Sequence, residues 1–126
     1  MTVVLDASAV LALVLGERGS SRVVEYLDDA QISAVSHAEV LSRLAYLGVP
    51  VASSVDLLVR LRVPVRSFTE SQARTVGELR IGTAEIGLSV GDRACIALAR
   101  QHGLAVVTAD RVWAELDLGV EVITVR

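Results

Sequence analysis

Short aliphatic runs alternate with helix-length segments along the whole chain, and this alternation limits the fold more than any other feature. Val3 to Leu5, Gln31 to Val35, Val63 to Phe68, Leu104 to Thr108 and Glu121 to Val125 read as strands. Between the first two lie Ser8 to Leu15, stopped by Gly16, and a segment from Ser20 or Ser21 to Leu27. Ser36 to Leu47 follows, closed by Gly48 and Pro50, and then a segment opening at Ser53 with Val55, Leu58, Val59 and Leu61 on one side. Thr69 to Gln72 has the pattern of a capping box and opens a helix to about Leu79. Arg80 to Ser89 reads as a glycine-containing loop, Gly91 to Gln101 as a helix ended by Gly103, and Asp110 to Leu116 as a short helix. Strands this short and aliphatic are buried on both faces, as in parallel sheets. The expectation is an α/β fold of three layers, α/β/α, around a central mostly parallel sheet. No stretch reads as a linker or a repeat, so residues 1–126 are expected to form one domain.

Apolar residues make up 52% of the chain before glycine is counted, against roughly 45–50% with glycine included in ordinary domains. The surplus predicts an interface with a second copy or another protein. No membrane span is expected: the apolar stretch from Val3 to Leu15 is broken by Asp6 and Ser8 and falls short of about 20 residues. No basic start precedes it, so it does not read as a signal peptide. Cys95 is the only cysteine and reads as a small buried hydrophobe, which makes a reducing cytoplasm the expected location. The net charge is −3, with 15 acids against 12 bases, and every base is arginine. That balance argues against gripping nucleic acid by bulk charge. With only Tyr26, Tyr46, Phe68 and Trp113 as aromatics, base-stacking platforms are not expected either. Any nucleic acid must be held at a local site.

Four acids mark where that site would be. Asp6 and Asp110 end the first and fourth strands; Glu39 falls in the first turn of the helix after the second strand; Asp92 falls in the first turn of the helix before the fourth. In a parallel sheet all of these positions lie at one edge, the edge where open α/β folds bind ligands. Capping offers a simpler account of three of them. Ser36-x-x-Glu39 and Ser89-x-x-Asp92 fit capping boxes, Asp110 can cap a helix, and each such acid gains about 0.3–1 kcal/mol from the helix dipole. Asp6 resists that account, because Ser8 reads as the better cap. Two carboxylates about 5 Å apart repel by roughly 3 kcal/mol at an effective dielectric of 20. Convergence of all four therefore requires proton uptake or a divalent cation, and oxygen-only ligands favour Mg²⁺ or Mn²⁺. His37 and His102 stand alone, so zinc is not expected. Carboxylate-held Mg²⁺ suits phosphate chemistry, and no Ser-His-Asp set, phosphate loop or catalytic cysteine offers another.

The ordered set Val4-Leu5-Asp6-Ala7-Ser8, Ser36-x-x-Glu39, Asp92-Arg93-Ala94-Cys95-Ile96-Ala97-Leu98-Ala99 and Thr108-Ala109-Asp110-Arg111-Val112-Trp113 resembles PIN domains, above all the VapC-type ribonuclease toxins of bacterial type II toxin–antitoxin pairs. The likeness covers the whole chain. It implies Mg²⁺- or Mn²⁺-dependent cleavage of RNA, with catalytic and metal-site roles at Asp6, Glu39, Asp92 and Asp110. It implies that the hydroxyls of Ser8 and Thr108 orient the site. It also implies a homodimer and a cognate antitoxin that blocks the site. Water attacking in line would leave 5′-phosphate and 3′-hydroxyl ends.

Other residues admit two roles. Trp113 reads as sheet packing, Glu115 and Asp117 as surface acids or extra ligands, and Arg93 as a phosphate or antitoxin contact or a surface ion pair. Arg60, Arg62 and Arg66 read as an RNA-facing patch or a solvated face. Two rivals stay open. A haloacid dehalogenase-like phosphatase also opens with a strand and Asp, but needs a second Asp where Ser8 stands and a lysine that this chain lacks. A non-catalytic binding module would dock a basic peptide in the acidic crevice.

Overall fold

The computed structural model describes residues 1–126. Its strands are β1 (Val3–Leu5), β2 (Ala30–Ser33), β3 (Val65–Arg66), β4 (Ala105–Thr108) and β5 (Val122–Thr124). Its helices are α1 (Ala7–Val14), α2 (Ser20–Val24), α3 (Ala34–Tyr46), α4 (Val51–Arg60), α5 (Glu70–Leu79) and α6 (Val90–His102). The strands form one sheet in the order β3-β2-β1-β4-β5, and every pairing is parallel. The chain builds outward from β1 to one edge, returns, and builds outward again through β4. The turning point lies between β1 and β4, and the C-terminal ends of the strands at such a point are where open α/β sheets bind ligands.

Side-chain alternation divides the core between the two faces of the sheet. Val3 and Leu5 of β1 pack with Val10, Val40, Leu44 and Leu58 from α1, α3 and α4. Val4, between them, packs on the opposite face with Cys95, Ile96 and Leu98 of α6 and with Trp113. Both faces are covered, which gives the expected three layers. Cys95 and Trp113 are fully buried, in keeping with their reading as packing residues. No helix is long and apolar enough to cross a membrane.

Several boundaries move, each for a local reason. The second strand ends at Ser33 rather than Val35, because the Ser33 hydroxyl accepts from the Val35 amide and caps α3. Ser36 is therefore not the cap. It lies buried inside α3, its hydroxyl directed at the Gly91 carbonyl. Glu39 consequently falls in the second turn of α3, not the first. The third strand shrinks from Val63–Phe68 to two exposed residues. Pro64 has no N–H for the ladder, though its carbonyl accepts from Ile32. The segment Ser20 to Leu27 splits into α2 and a 3-10 turn at Leu27–Asp29, and the short helix after β4 is a 3-10 turn at Arg111–Glu115. Thr69 does cap α5 by accepting from Gln72 N, but the reciprocal half of that box is missing. The Gln72 side chain instead donates to Gln101 Oε1.

Candidate metal centre

Asp6 sits where β1 becomes α1. Its backbone N–H still follows the strand, donating to Val107 O at 2.9 Å, while its carbonyl accepts the first bonds of α1. It occupies the N-cap position, yet its carboxylate caps nothing. The side chain is instead buried, at 2% exposure, against two hydroxyls. Ser8 Oγ donates to Asp6 Oδ2 at 2.6 Å and Thr108 Oγ1 donates to the same oxygen at 3.0 Å. Ser8 is thus not the cap of α1 but a donor within its first turn. The two hydroxyls are themselves fixed by the chain after β4. Ala109 N donates to Ser8 Oγ and Asp110 N donates to Thr108 Oγ1. Asp6 Oδ1 has no hydrogen-bond partner although it is buried.

Asp92 and Glu39 lie near enough for their charges to act on Asp6, and Asp110 near enough to act on Asp92. Asp92 lies in the first turn of α6, and its Oδ2 accepts from Ser89 N at 2.8 Å while Ser89 Oγ accepts from Asp92 N, a complete capping box. Glu39 reaches across from α3 to the same helix end, where Ser89 Oγ lies 3.4 Å from its Oε2. The Glu39 carboxylate occupies the space beside the Gly91 Cα that a β-carbon would fill. Asp110 follows β4 and is exposed; its Oδ1 accepts from Val112 N and caps the 3-10 turn. Capping therefore explains the hydrogen bonds of Asp92 and Asp110. It explains nothing about Asp6 or Glu39.

Electrostatics ties the acids together. Burial raises the Asp6 carboxyl to about 7; the Ser8 hydroxyl, and less strongly that of Thr108, pulls it down, and the charges of Asp92 and Glu39 push it up. Burial and then Asp92 raise Glu39, against the Ser89 hydroxyl. Burial raises Asp92, Ser89 lowers it through backbone and side chain, and Asp110 raises it again. Asp92 is the common neighbour. The buried Cys95 thiol reports the same convergence from below. Burial raises it well above the ordinary value, and the charges of Asp6, Asp92 and Glu39 raise it further. None of the four acids has an ion-pair partner; the two ion pairs of the chain are Met1–Asp29 and Arg126–Glu17. Nor do three of them stand as a preassembled ligand cage, as follows for like charges with no counter-charge between them.

The donor set nevertheless suits a hard divalent cation. A buried carboxylate oxygen without a partner costs free energy unless something binds it. Asp6 Oδ1 is such an atom, and the charges acting on its carboxyl are the carboxylates of Asp92 and Glu39, with Asp110 acting on Asp92. All-oxygen surroundings of this kind fit Mg²⁺ or Mn²⁺.

The remaining sequence candidates separate. Arg93 is buried and forms no surface ion pair: its Nη1 donates to Val76 O of α5 at 2.9 Å, and its Nε donates to Ser89 O. Glu115 and Asp117 are exposed. Arg60 ends α4, Arg62 lies in the turn before β3, and Arg66 ends β3 and donates to Gln31 Oε1. Gly91 and Ser89, which place Glu39, carry no sequence signal beyond a helix start.

A family model described as the PIN domain matches residues 3–118. No curated protein sequence matches the chain. Among solved structures, a member of the VapBC family of toxin–antitoxin systems, VapBC-5, from Mycobacterium tuberculosis is 26% identical, with a TM-score of 0.66 over 98% of this chain and 99% of that one. FitAcB from Neisseria gonorrhoeae is 24% identical with a TM-score of 0.67, covering 98% of both chains. A toxin–antitoxin complex from Klebsiella pneumoniae is 18% identical with a TM-score of 0.73 over 99% and 98%. The structural likenesses establish the fold end to end, and the family model matches most of the sequence: this chain belongs to the PIN domain family.

Proposed function

We propose that this protein is the toxin of a type II toxin–antitoxin pair and acts as a Mg²⁺- or Mn²⁺-dependent endoribonuclease. PIN domains are nucleases, which sets the reaction class. The observation that carries the reading for this chain is the buried, unpartnered Oδ1 of an Asp6 carboxyl on which the charges of Asp92 and Glu39 act, with Asp110 acting in turn on Asp92. Asp6, Asp92 and Asp110 would hold the cation, and Glu39 would either join them or position a water molecule. A bound Mg²⁺ or Mn²⁺ supplies positive charge for the phosphodiester oxygens and acidifies water at neutral pH. Ser8 and Thr108 fix the Asp6 carboxylate by holding Oδ2, which leaves Oδ1 without a partner. Ser89 and the bare Cα of Gly91 fix Glu39 in the same way from the opposite wall.

The partner assignment rests on two supports. One similar solved structure is described as a toxin–antitoxin complex and another as a member of the VapBC family of toxin–antitoxin systems. The chain also exposes Val51, Val55, Leu57 and Val59 along α4, apolar surface suited to an antitoxin segment or a second copy of the toxin.

Mapping of cleavage ends in total RNA with Mg²⁺ tests the function. Products with 5′-phosphate and 3′-hydroxyl ends, lost in EDTA and in Asp6→Asn, support it. Ends bearing a 2′,3′-cyclic phosphate, or cleavage undiminished by EDTA, overturn the mechanism. Cation binding without cleavage of any RNA moves the chain to the class of binding modules.

A further inference from the structure

Next to the acids lies a cleft of opposite charge. Arg18, Arg111 and Arg126 line a hollow of about 420 Å³ together with Ser8, Ala109 and Asp110. Ser8 and Asp110 belong to the acidic crevice as well, so the hollow opens directly off it. Its three arginines come from separate segments: the turn between α1 and α2, the start of the 3-10 turn after β4, and the chain beyond β5. These segments are fastened to one another. Arg126 Nε donates to Arg18 O at 2.8 Å, and Arg111 Nε donates to Arg126 O at 3.2 Å. Gly19, at φ 97°, packs so closely on the Val125 carbonyl that a β-carbon there would overlap it, which presses the turn carrying Arg18 against the end of the sheet.

The charges in this hollow are not balanced internally. Arg126 is paired with Glu17 at 3.0 Å, but Arg18 and Arg111 form no ion pair, although Asp110 lines the same hollow. Both are exposed, on a chain whose net charge is −3. The Arg18 guanidinium, which has no partner, and that of Arg111, which is held only through its Nε, leave N–H donors of the charge and type that phosphodiester oxygens accept. On the β2–β3 side of the molecule the hollow is apolar, lined by Val10, Ile32, Val59, Leu61 and Val63, and contains no guanidinium.

We infer that Arg18 and Arg111 seat the phosphodiester next to the one that is cleaved. The substrate strand then leaves the acids over the C-terminal ends of β4 and β5, not over β2 and β3. This rests on the nuclease reading and adds to it a direction for the strand. It also resolves how an acidic chain with an acidic site retains a polyanion: the cationic seat lies immediately beside the site rather than across the surface.

The test compares the whole chain with Arg18→Ala, Arg111→Ala and the double variant. Fluorescence anisotropy of a labelled single-stranded oligouridine, in an Asp6→Asn background, reads binding over a range of salt. The double variant is expected to weaken binding by about tenfold and to flatten the dependence of log K on log salt by about 0.7 for each phosphate no longer neutralised. In the active chain KM rises and kcat stays within about twofold. Arg18→Ala alone, which leaves the Arg111–Arg126 bond intact, carries part of the loss, and Arg18→Lys restores part of it. Arg60→Ala, before β3, changes neither quantity. Unchanged affinity and salt slope in the double variant, with cleavage by the parent chain intact, overturn the inference and leave the nuclease reading standing. A parent chain that neither cleaves nor binds RNA overturns the nuclease reading, and this inference with it. Binding of polyglutamate but not RNA, dependent on the same arginines, makes the hollow a protein-docking site and also overturns the inference.

Discussion

The Glu39 carboxylate rests in the place that a side chain at Gly91 would need. Two helices, α3 and α6, thereby meet closely enough for an acid on one to reach the N-terminal turn of the other. The requirement is steric, because Gly91 has an ordinary helical backbone and is not among the positive-φ glycines. Alanine at this position is therefore compatible with α6 and incompatible with the observed Glu39 rotamer. Gly91→Ala is expected to hold or raise thermal stability, by up to about 1 kcal/mol as a helix substitution. Cleavage is expected to fall by about tenfold or more. Melting curves and initial rates on one RNA substrate check both; an unimpaired rate would remove Glu39's position from the mechanism.

Asp6 links pH to stability. Its folded carboxyl titrates at about 7, against 3.8 when unperturbed. Between those values the folded chain holds a proton that the unfolded chain has released, so stability is greatest at the acidic end and falls as pH rises through the window. The slope from this one group is at most about 1.4 kcal/mol per pH unit. Asp6→Asn is expected to flatten that slope, to raise the melting temperature at pH 8 in EDTA, and to abolish cleavage. Urea midpoints measured from pH 4 to pH 8 in both proteins check the prediction.

Divalent cation is expected to reverse that loss. Mg²⁺ and the Asp6 proton compete for the same oxygens, so the cation stabilises the fold more at pH 8 than at pH 5. At about a hundred times its dissociation constant a ligand of the native state adds about 2.7 kcal/mol, which is a shift of several degrees in melting temperature. Equal shifts at both pH values would show that the cation binds elsewhere.

Ser8 is expected to set the acidic limb of activity. Its hydroxyl is the strongest single influence lowering the Asp6 carboxyl. Ser8→Ala removes a donor to the anion, so the carboxyl rises further and the acidic limb of the rate–pH profile moves to higher pH. The Ala109 N–H also loses its acceptor, at a cost of about 1–3 kcal/mol in stability. A limb that stays in place would separate Asp6 from the titrating group.

Features encoded within one segment are legible in the sequence. The alternation of aliphatic runs and helical spacing marks the strands and their layers, and Ser89-x-x-Asp92 forms the capping box its spacing implies. Asp6 is legible by exclusion, since an acid after a buried strand has no local role. Tertiary packing decides the rest. Ser33 and Ser36 are equally good caps for α3 on local grounds, and burial of Ser36 against the Gly91 carbonyl settles between them. Arg93 reads as a surface charge until α5 places the Val76 carbonyl within its reach. Arg18, Arg111 and Arg126 are scattered in sequence and meet only because their turns share one end of the sheet.

The central pairing of the sheet joins Val3 to Ala105 and Leu5 to Val107, across most of the chain's length. Asp6 therefore acquires its floor, its Thr108 donor and its neighbour Asp110 only after β4 has been made. A nascent chain still emerging from the ribosome carries Asp6 and Glu39 without the geometry to use them. Under the proposed ribonuclease function, synthesis itself delays the hazard until translation of the chain's own message is nearly finished.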